Sequence, residues 1–162
     1  MSNPAVAQPL QPATHPAFAD AQTIAAADTP WVPAGPGKSF KLLRLLPDNA
    51  GFVELMRVEP GAGVPLHRHT GPIHAYNLQG TRELCTGERI GPGEYVFEPA
   101  GNTDWWRAVG DEPVVIFIVV HGAVEYLDAQ DRVTRRIDAQ ALYEMYREYC
   151  QASGVEPAVT AH

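Results

Sequence analysis

The 162-residue chain carries 12 Lys and Arg against 19 Asp and Glu, a formal net charge of −7 with no basic cluster. That balance argues against nucleic acid or an anionic membrane surface as the main partner. With 45% hydrophobic and 19% charged residues, the chain has the make-up of one globular domain. Two cysteines, Cys85 and Cys150, form neither a disulfide framework nor a metal motif. The longest apolar run, Val114 to Val120, is too short to cross a bilayer. No Lys or Arg precedes Lys38, whereas a secretory or transit peptide would carry basic residues there, so neither is expected. The expected compartment is the cytoplasm.

In chain order, residues 1–28 are rich in Ala, Pro and Gln without periodicity and read as a flexible N-terminal arm. Residues 29–137 read as a barrel. Trp31 and Val32 anchor its start, and strand-like runs follow at short intervals: "FKLLRLLP", "GFVELMRV", "VPLHRH", "HAYNLQG", "TRELCTGERI", "EYVFEPAG", "TDWWRAVG", "VVIFIVVHG", "AVEYLDA" and "RVTRRI". Turns such as "EPGAG", "IGPGE" and "VGDEP" supply the residues tight reversals need. About ten short strands predict an antiparallel sandwich or barrel. Residues 138–162 form a helix and tail: Asp138 is a candidate N-cap, and Leu142, Met145, Tyr146 and Tyr149 recur at helical spacing.

"LHRHTGPIH" places three of the six histidines within nine residues. On a strand, His67 and His69 share a face, about 7 Å apart along the chain. Two imidazoles aimed into a barrel are suited to hold a metal ion. An H-x-H pair alone is more often an exposed or hydrogen-bonded pair of histidines, so the flanking sequence decides.

Those flanks, "GAGVPLHRH" with "TGPIHAYNLQG" and then "GEYVFEPAGNTD", resemble the two motifs of the cupin superfamily. Gly61, His67, His69 and Gly80 match the first motif; Gly93, Pro99 and Gly101 match the second. The resemblance spans roughly residues 40 to 130 and implies an all-β, RmlC-like jelly-roll barrel with one metal site between facing strands. "HRHTGPIHAY", "GEYVFEPAG" and "GAVEYLDA" look most like the 2,4'-dihydroxyacetophenone dioxygenase-like and ChrR-like cupins. The first group uses non-haem iron to cleave between two oxygenated carbons of an aryl ketone. The second includes zinc-binding domains of anti-sigma factors. No helical segment able to grip a sigma factor is visible in the first 28 residues. The resemblance also implies a homodimer.

Two positions depart from the family pattern. Where the first motif has a glutamate, a three-residue spacer gives Ile73, which cannot bind metal, and a four-residue spacer gives His74, which can. If "TGPI" is a four-residue hairpin loop, His74 stands opposite His69 on one face; with one residue fewer it turns to the other. Where the second motif ends in histidine, this chain has Asp104. His67, His69 and Asp104 would form a two-histidine, one-carboxylate set suited to iron(II), with zinc, nickel and manganese also compatible; the alternatives are a pocket that has lost its third ligand, or a solvent-facing turn cap. Alternation then points Trp106 inward and Trp105 outward, the latter hinting at an interface, and Tyr76 with Trp106 predicts an aromatic pocket for a small ketone. Glu98 is a candidate for a hydrogen bond to a ligand. His121 ends an apolar strand, where it either reaches the site or, as is commoner, is a satisfied histidine at the barrel rim.

Overall fold

The structure, a computed structural model, describes residues 22–161. Most of the expected N-terminal arm lies outside the described residues; its last part, Ala26–Asp28, is a single 3₁₀ turn. Twelve strands follow: β1 (Val32–Pro33), β2 (Lys38–Leu46), β3 (Gly51–Val58), β4 (Gly63–His69), β5 (Ile73–Gln79), β6 (Thr81–Leu84), β7 (Arg89–Ile90), β8 (Tyr95–Glu98), β9 (Thr103–Val109), β10 (Val114–His121), β11 (Val124–Leu127) and β12 (Val133–Ile137). One helix, α1 (Ala139–Ser153), ends the fold. The all-β expectation and the C-terminal helix are both borne out; the short strand β1, and the division of "TRELCTGERI" into β6 and β7, bring the ten runs read from sequence to twelve strands.

All pairings are antiparallel, in two six-stranded sheets of order β1-β2-β3-β10-β5-β8 and β12-β11-β4-β9-β6-β7. From β3 to β11 the chain repeatedly crosses between the sheets, the pattern of a jelly roll. Each strand therefore has one face against the opposite sheet and one outside. In β10, Val114, Ile116, Ile118 and Val120 are buried at every second position, and in β9 Asp104, Trp106 and Ala108 are. Burial of each large apolar side chain in this core contributes roughly 1.5–3 kcal/mol.

The N-terminus of α1 is fixed by Asp138, whose carboxylate accepts a 2.9 Å hydrogen bond from the Ala141 amide. Leu142 and Tyr146 are buried, with Met145 and Tyr149 packed at the core's margin. The helix packs against β1, β2 and β12, at one edge of the two sheets.

The motif glycines have a backbone reason. Gly80 carries the chain from one sheet to the other in a single residue, at φ +68°, and a Cβ there would lie 2.4 Å from the Pro113 carbonyl oxygen. Both the left-handed backbone and the close approach require glycine. Gly80→Ala is expected to destabilise the fold by about 1–3 kcal/mol in urea denaturation, without changing the slope of the transition.

Among the described residues no helix is long and apolar enough to cross a membrane.

Candidate metal centre

The inner cavity of the barrel is built around the first-motif strand. His67 and His69 lie on the inner face of β4, 3% and 7% exposed. Their Nε2 atoms face each other at 3.2 Å, with the rings edge to face. His67 Nδ1 lies 2.8 Å from the Pro65 carbonyl oxygen, so Nδ1 carries the proton and donates it there. That leaves the Nε2 lone pair directed into the cavity. Burial, and then neighbouring His69, hold the His67 imidazole below its usual pKa and so keep it neutral.

The third group is Glu98, at the end of β8. Its Oε2 lies 2.8 Å from His69 Nε2, and the side chain is almost completely buried. Burial pushes this carboxyl up, but the contact with His69 and the charges of His69, His67 and Arg82 outweigh it. The net effect holds Glu98 below the ordinary carboxylate range. Glu98 is the direct cross-strand partner of Ile73. The two therefore share the inward face, and Glu98 brings a carboxylate to the wall where the first-motif acid is missing.

Asp104 is also inward and buried, opposite His67 in the β4–β9 ladder. Its Oδ1 accepts a 3.3 Å hydrogen bond from the Cys85 amide, and Asp104, expected as the third ligand, is not among the residues that line the cavity. Trp106 lines the cavity two residues on, with the Arg82 guanidinium 5.3 Å from its ring centroid.

Other predicted positions lie elsewhere. "TGPI" is not a hairpin loop: β4 and β5 belong to different sheets, and only Thr70, Gly71 and Pro72 join them. Ile73 points in, so His74 points out, where its Nδ1 shares a 2.7 Å hydrogen bond with the Tyr95 hydroxyl. The His121 ring lies 6.0 Å from His74 on that outer side, and Tyr76 is 43% exposed. His74, His121 and Tyr76 thus do not line the inner cavity.

Three polar lining residues were missed from sequence: Glu54, Arg82 and Tyr126. Each has a period-two signal. Glu54 falls between Phe52 and Met56 on the inward face of β3, and Tyr126 is the cross-strand neighbour of His67. Arg82 is 2% exposed, and its Nε and one Nη have no hydrogen-bond partner.

Among the described residues, no three His, Cys, Asp or Glu side chains stand ready-spaced around an ion. Instead His69 Nε2 touches both of the other donor atoms, His67 Nε2 and Glu98 Oε2. Their chemistry nevertheless fits a divalent ion. Neighbouring ligands on one ion at the usual bond length of about 2.1 Å stand about 3.0 Å apart at octahedral angles and about 3.4 Å at tetrahedral ones, close to or a little wider than the 3.2 and 2.8 Å seen here. Buried Glu98 Oε2 also lacks a well-directed hydrogen bond. The surrounding cavity is lined by Val64, Ile118 and Val120 and has a volume of about 50 Å³, room for roughly three or four waters.

A family model described as the ChrR cupin-like domain matches residues 19–125. A crystal structure of an RmlC-like cupin protein from Ralstonia eutropha JMP134 superposes with a TM-score of 0.77 at 26% identity, covering 86% of this chain and 94% of that one. An acetylacetone dioxygenase from Acinetobacter johnsonii gives 0.69 at 15% identity, covering 88% and 99%. The complex of Rhodobacter sphaeroides SigE with the anti-sigma ChrR gives 0.51 at 22% identity, covering 57% and 50%. The last two likenesses show the fold alone. None of the curated proteins matches the chain.

Proposed function

The chain belongs to the ChrR cupin-like domain family, and on that premise we propose a metal-dependent cupin of the dioxygenase kind, acting on a small ketone or dicarbonyl. The observation that carries this reading is the meeting of His67 Nε2, His69 Nε2 and Glu98 Oε2 in a buried, largely apolar cavity. His67 and His69 would hold the ion, with Glu98 as the nearest carboxylate and Asp104 beside His67. An iron(II) ion would supply Lewis acidity and a place to activate dioxygen, the chemistry that two histidines and a carboxylate favour. The Pro65 carbonyl fixes the His67 ring and its tautomer. Ile118, Val120 and Trp106 keep bulk water from the reacting end. Similarity to the acetylacetone dioxygenase structure supports the dicarbonyl class. The test is oxygen uptake by anaerobically iron-loaded protein offered 2,4-pentanedione and aryl ketones. Uptake with carbon–carbon cleavage supports the reading; none with any of them, on a fully loaded protein, removes it.

A second reading is a non-catalytic metal- or small-molecule-binding module of the ChrR kind. The small cavity favours it. Tight zinc binding with no oxygen uptake in the same assay is its expected result.

We also propose a homodimer. On the outer face of β10-β5-β8, Tyr76, Leu78, Tyr95, Phe97 and Phe117 are all exposed, a continuous apolar patch beside the free edge of β8. A second copy related by a two-fold axis can cover that patch with the same patch. Trp105 lies outward on the other sheet, away from it. Phe97→Glu is expected to convert a sedimenting dimer into a monomer; a wild type that sediments as a monomer at micromolar concentration rejects the proposal.

A further inference from the structure

The metal cavity has a neighbour. A second chamber of about 50 Å³ lies between β2, β3, β11 and β12 beneath α1, and Glu54, Met56, Val124 and Tyr126 form walls of both. Its other walls are mostly apolar, but two cations stand on it, Lys38 and Arg135. Neither has a carboxylate within 4.0 Å among the ion pairs of the described residues. Lys38 Nζ sits instead 5.2 Å from the centroid of the Tyr126 ring, and an Arg135 Nη sits 3.5 Å from Met145 Sδ. The contrast with Arg136 is instructive. One residue on and facing the other way, it donates a 2.8 Å hydrogen bond to Glu125.

The ladders put these cations in line with the metal-binding strand. His67 pairs with Tyr126, and Tyr126 pairs with Arg135, so all three point to the same side of successive strands. With strands about 4.8 Å apart, the Arg135 backbone lies about 10 Å from that of His67. One aromatic ring stands between: Tyr126 is 6.2 Å from the His67 ring and carries Lys38 on its face. Two positive charges beside an apolar chamber repel each other. Burial, and then Arg135, hold the Lys38 ammonium below its usual pKa. Glu54, the acid on the shared wall, is itself pushed up to about 8 by burial, so at neutral pH it supplies no counter-charge. An anion between Lys38 and Arg135 would supply one.

We propose that this outer chamber is the anion subsite of the inner cavity: Lys38 and Arg135 hold the carboxylate of a short oxo acid whose carbonyl end reaches past Tyr126 to His67 and His69. The proposal rests on the metal-centre reading and narrows its substrate from neutral ketones to small carboxylated dicarbonyls. The two chambers together have room for roughly six to eight waters, which limits the ligand to a short-chain acid.

The test compares two probes that differ mainly by a carboxylate, 2,4-dioxopentanoate and 2,4-pentanedione. Binding to the full chain is measured by titration calorimetry on batches of known metal content. The acid is expected to bind at least about tenfold tighter. Lys38→Met with Arg135→Gln is expected to abolish that preference, leaving metal content and the affinity for 2,4-pentanedione unchanged. Lys38→Arg, which keeps the charge, retains the preference. Equal affinities in the wild type, or a preference that survives the double substitution, overturn the subsite. Butanoate, which has no carbonyl to offer an ion, separates the two ideas when titrated into chelator-stripped protein. Butanoate binding that needs Lys38 and Arg135 sustains the subsite even if the chain takes up no metal. Metal uptake with no butanoate binding and no preference for the acid removes the subsite and leaves the metal centre standing.

Discussion

His67→Ala and His69→Ala are each expected to strip the chain of bound divalent metal, lowering affinity by at least about 100-fold, and Glu98→Gln to lower it by about 10–100-fold. The order follows from what each atom faces. The two Nε2 atoms have no competing partner outside the cavity, and Glu98 Oε2 meets that of His69 there at 2.8 Å. Asp104 already spends one oxygen on the Cys85 amide, so Asp104→Asn is expected to cost less than Glu98→Gln. Elemental analysis of the four variants after dialysis against a weak chelator reads the order directly. A larger loss for Asp104→Asn than for Glu98→Gln would return the carboxylate role to position 104. The pH dependence has a definite sign. Ligation needs neutral imidazole and ionised carboxylate, and both His67 and Glu98 are held below their ordinary values. Metal should therefore stay bound below pH 6.5, the usual histidine midpoint, and leave as acid reaches the lowered values. The same groups contribute stability in the same direction: it is present above their unfolded pKa values and lost as pH falls through the folded ones.

The strands were legible because the sequence alternates where one face is buried. "TDWWRAVG" is the clearest case: with Asp104, Trp106 and Ala108 inward, Trp105 and Arg107 must point out, and they do. Asp138 announced the helix for a similar local reason, a side chain shaped to cap and a following stripe of apolar positions. The family resemblance was legible too, because its glycines answer to backbone geometry: Gly61, Gly80, Gly93 and Gly101 all have positive φ.

The site was harder to read because its parts come from different sheets. Reading "TGPI" as a hairpin loop assumed that consecutive strands pair; in a jelly roll they cross to the opposite sheet, which settled the facing of His74 by the phase of β5 alone. Glu98 could be named from its place before Pro99, but its pairing with Ile73 is a long-range register that no local pattern encodes. Glu54 and Arg82 carried a readable signal, a charge at the inward phase of a strand. In an alternating run, a charged residue at the inward phase marks either a misread phase or a site, and here it marked the wall of a cavity.

Glu54 itself supports the second large expectation, that Glu54→Gln stabilises the protein by a few kcal/mol at pH 9 and hardly at all near pH 4.5. Glu54 is 3% exposed and has no cation within 4.0 Å among the ion pairs of the described residues. Burial alone pushes its carboxyl from 4.5 up to about 8. A raised value means that, between those limits, the native state keeps a proton the unfolded state has released. Stability falls with rising pH across that window by up to about 1.4 kcal/mol per unit, and the fall levels off above about 8. Glutamine fills the same space without a charge to bury, so the slope disappears. Other groups near the cavity titrate as well. Depressed His67 works in the opposite sense below 6.5, and Glu98, Lys38, Arg82, Arg135, His69 and Tyr126 share the two chambers. The informative quantity is therefore the difference between wild type and variant, in which those contributions largely cancel. Urea denaturation at pH 5, 7 and 9 should show the two proteins diverging as pH rises, with the melting temperature of the variant ahead by about 10 °C at the alkaline end. Curves that stay parallel from pH 5 to 9 would mean that Glu54 ionises normally and that the wall between the two chambers is wet.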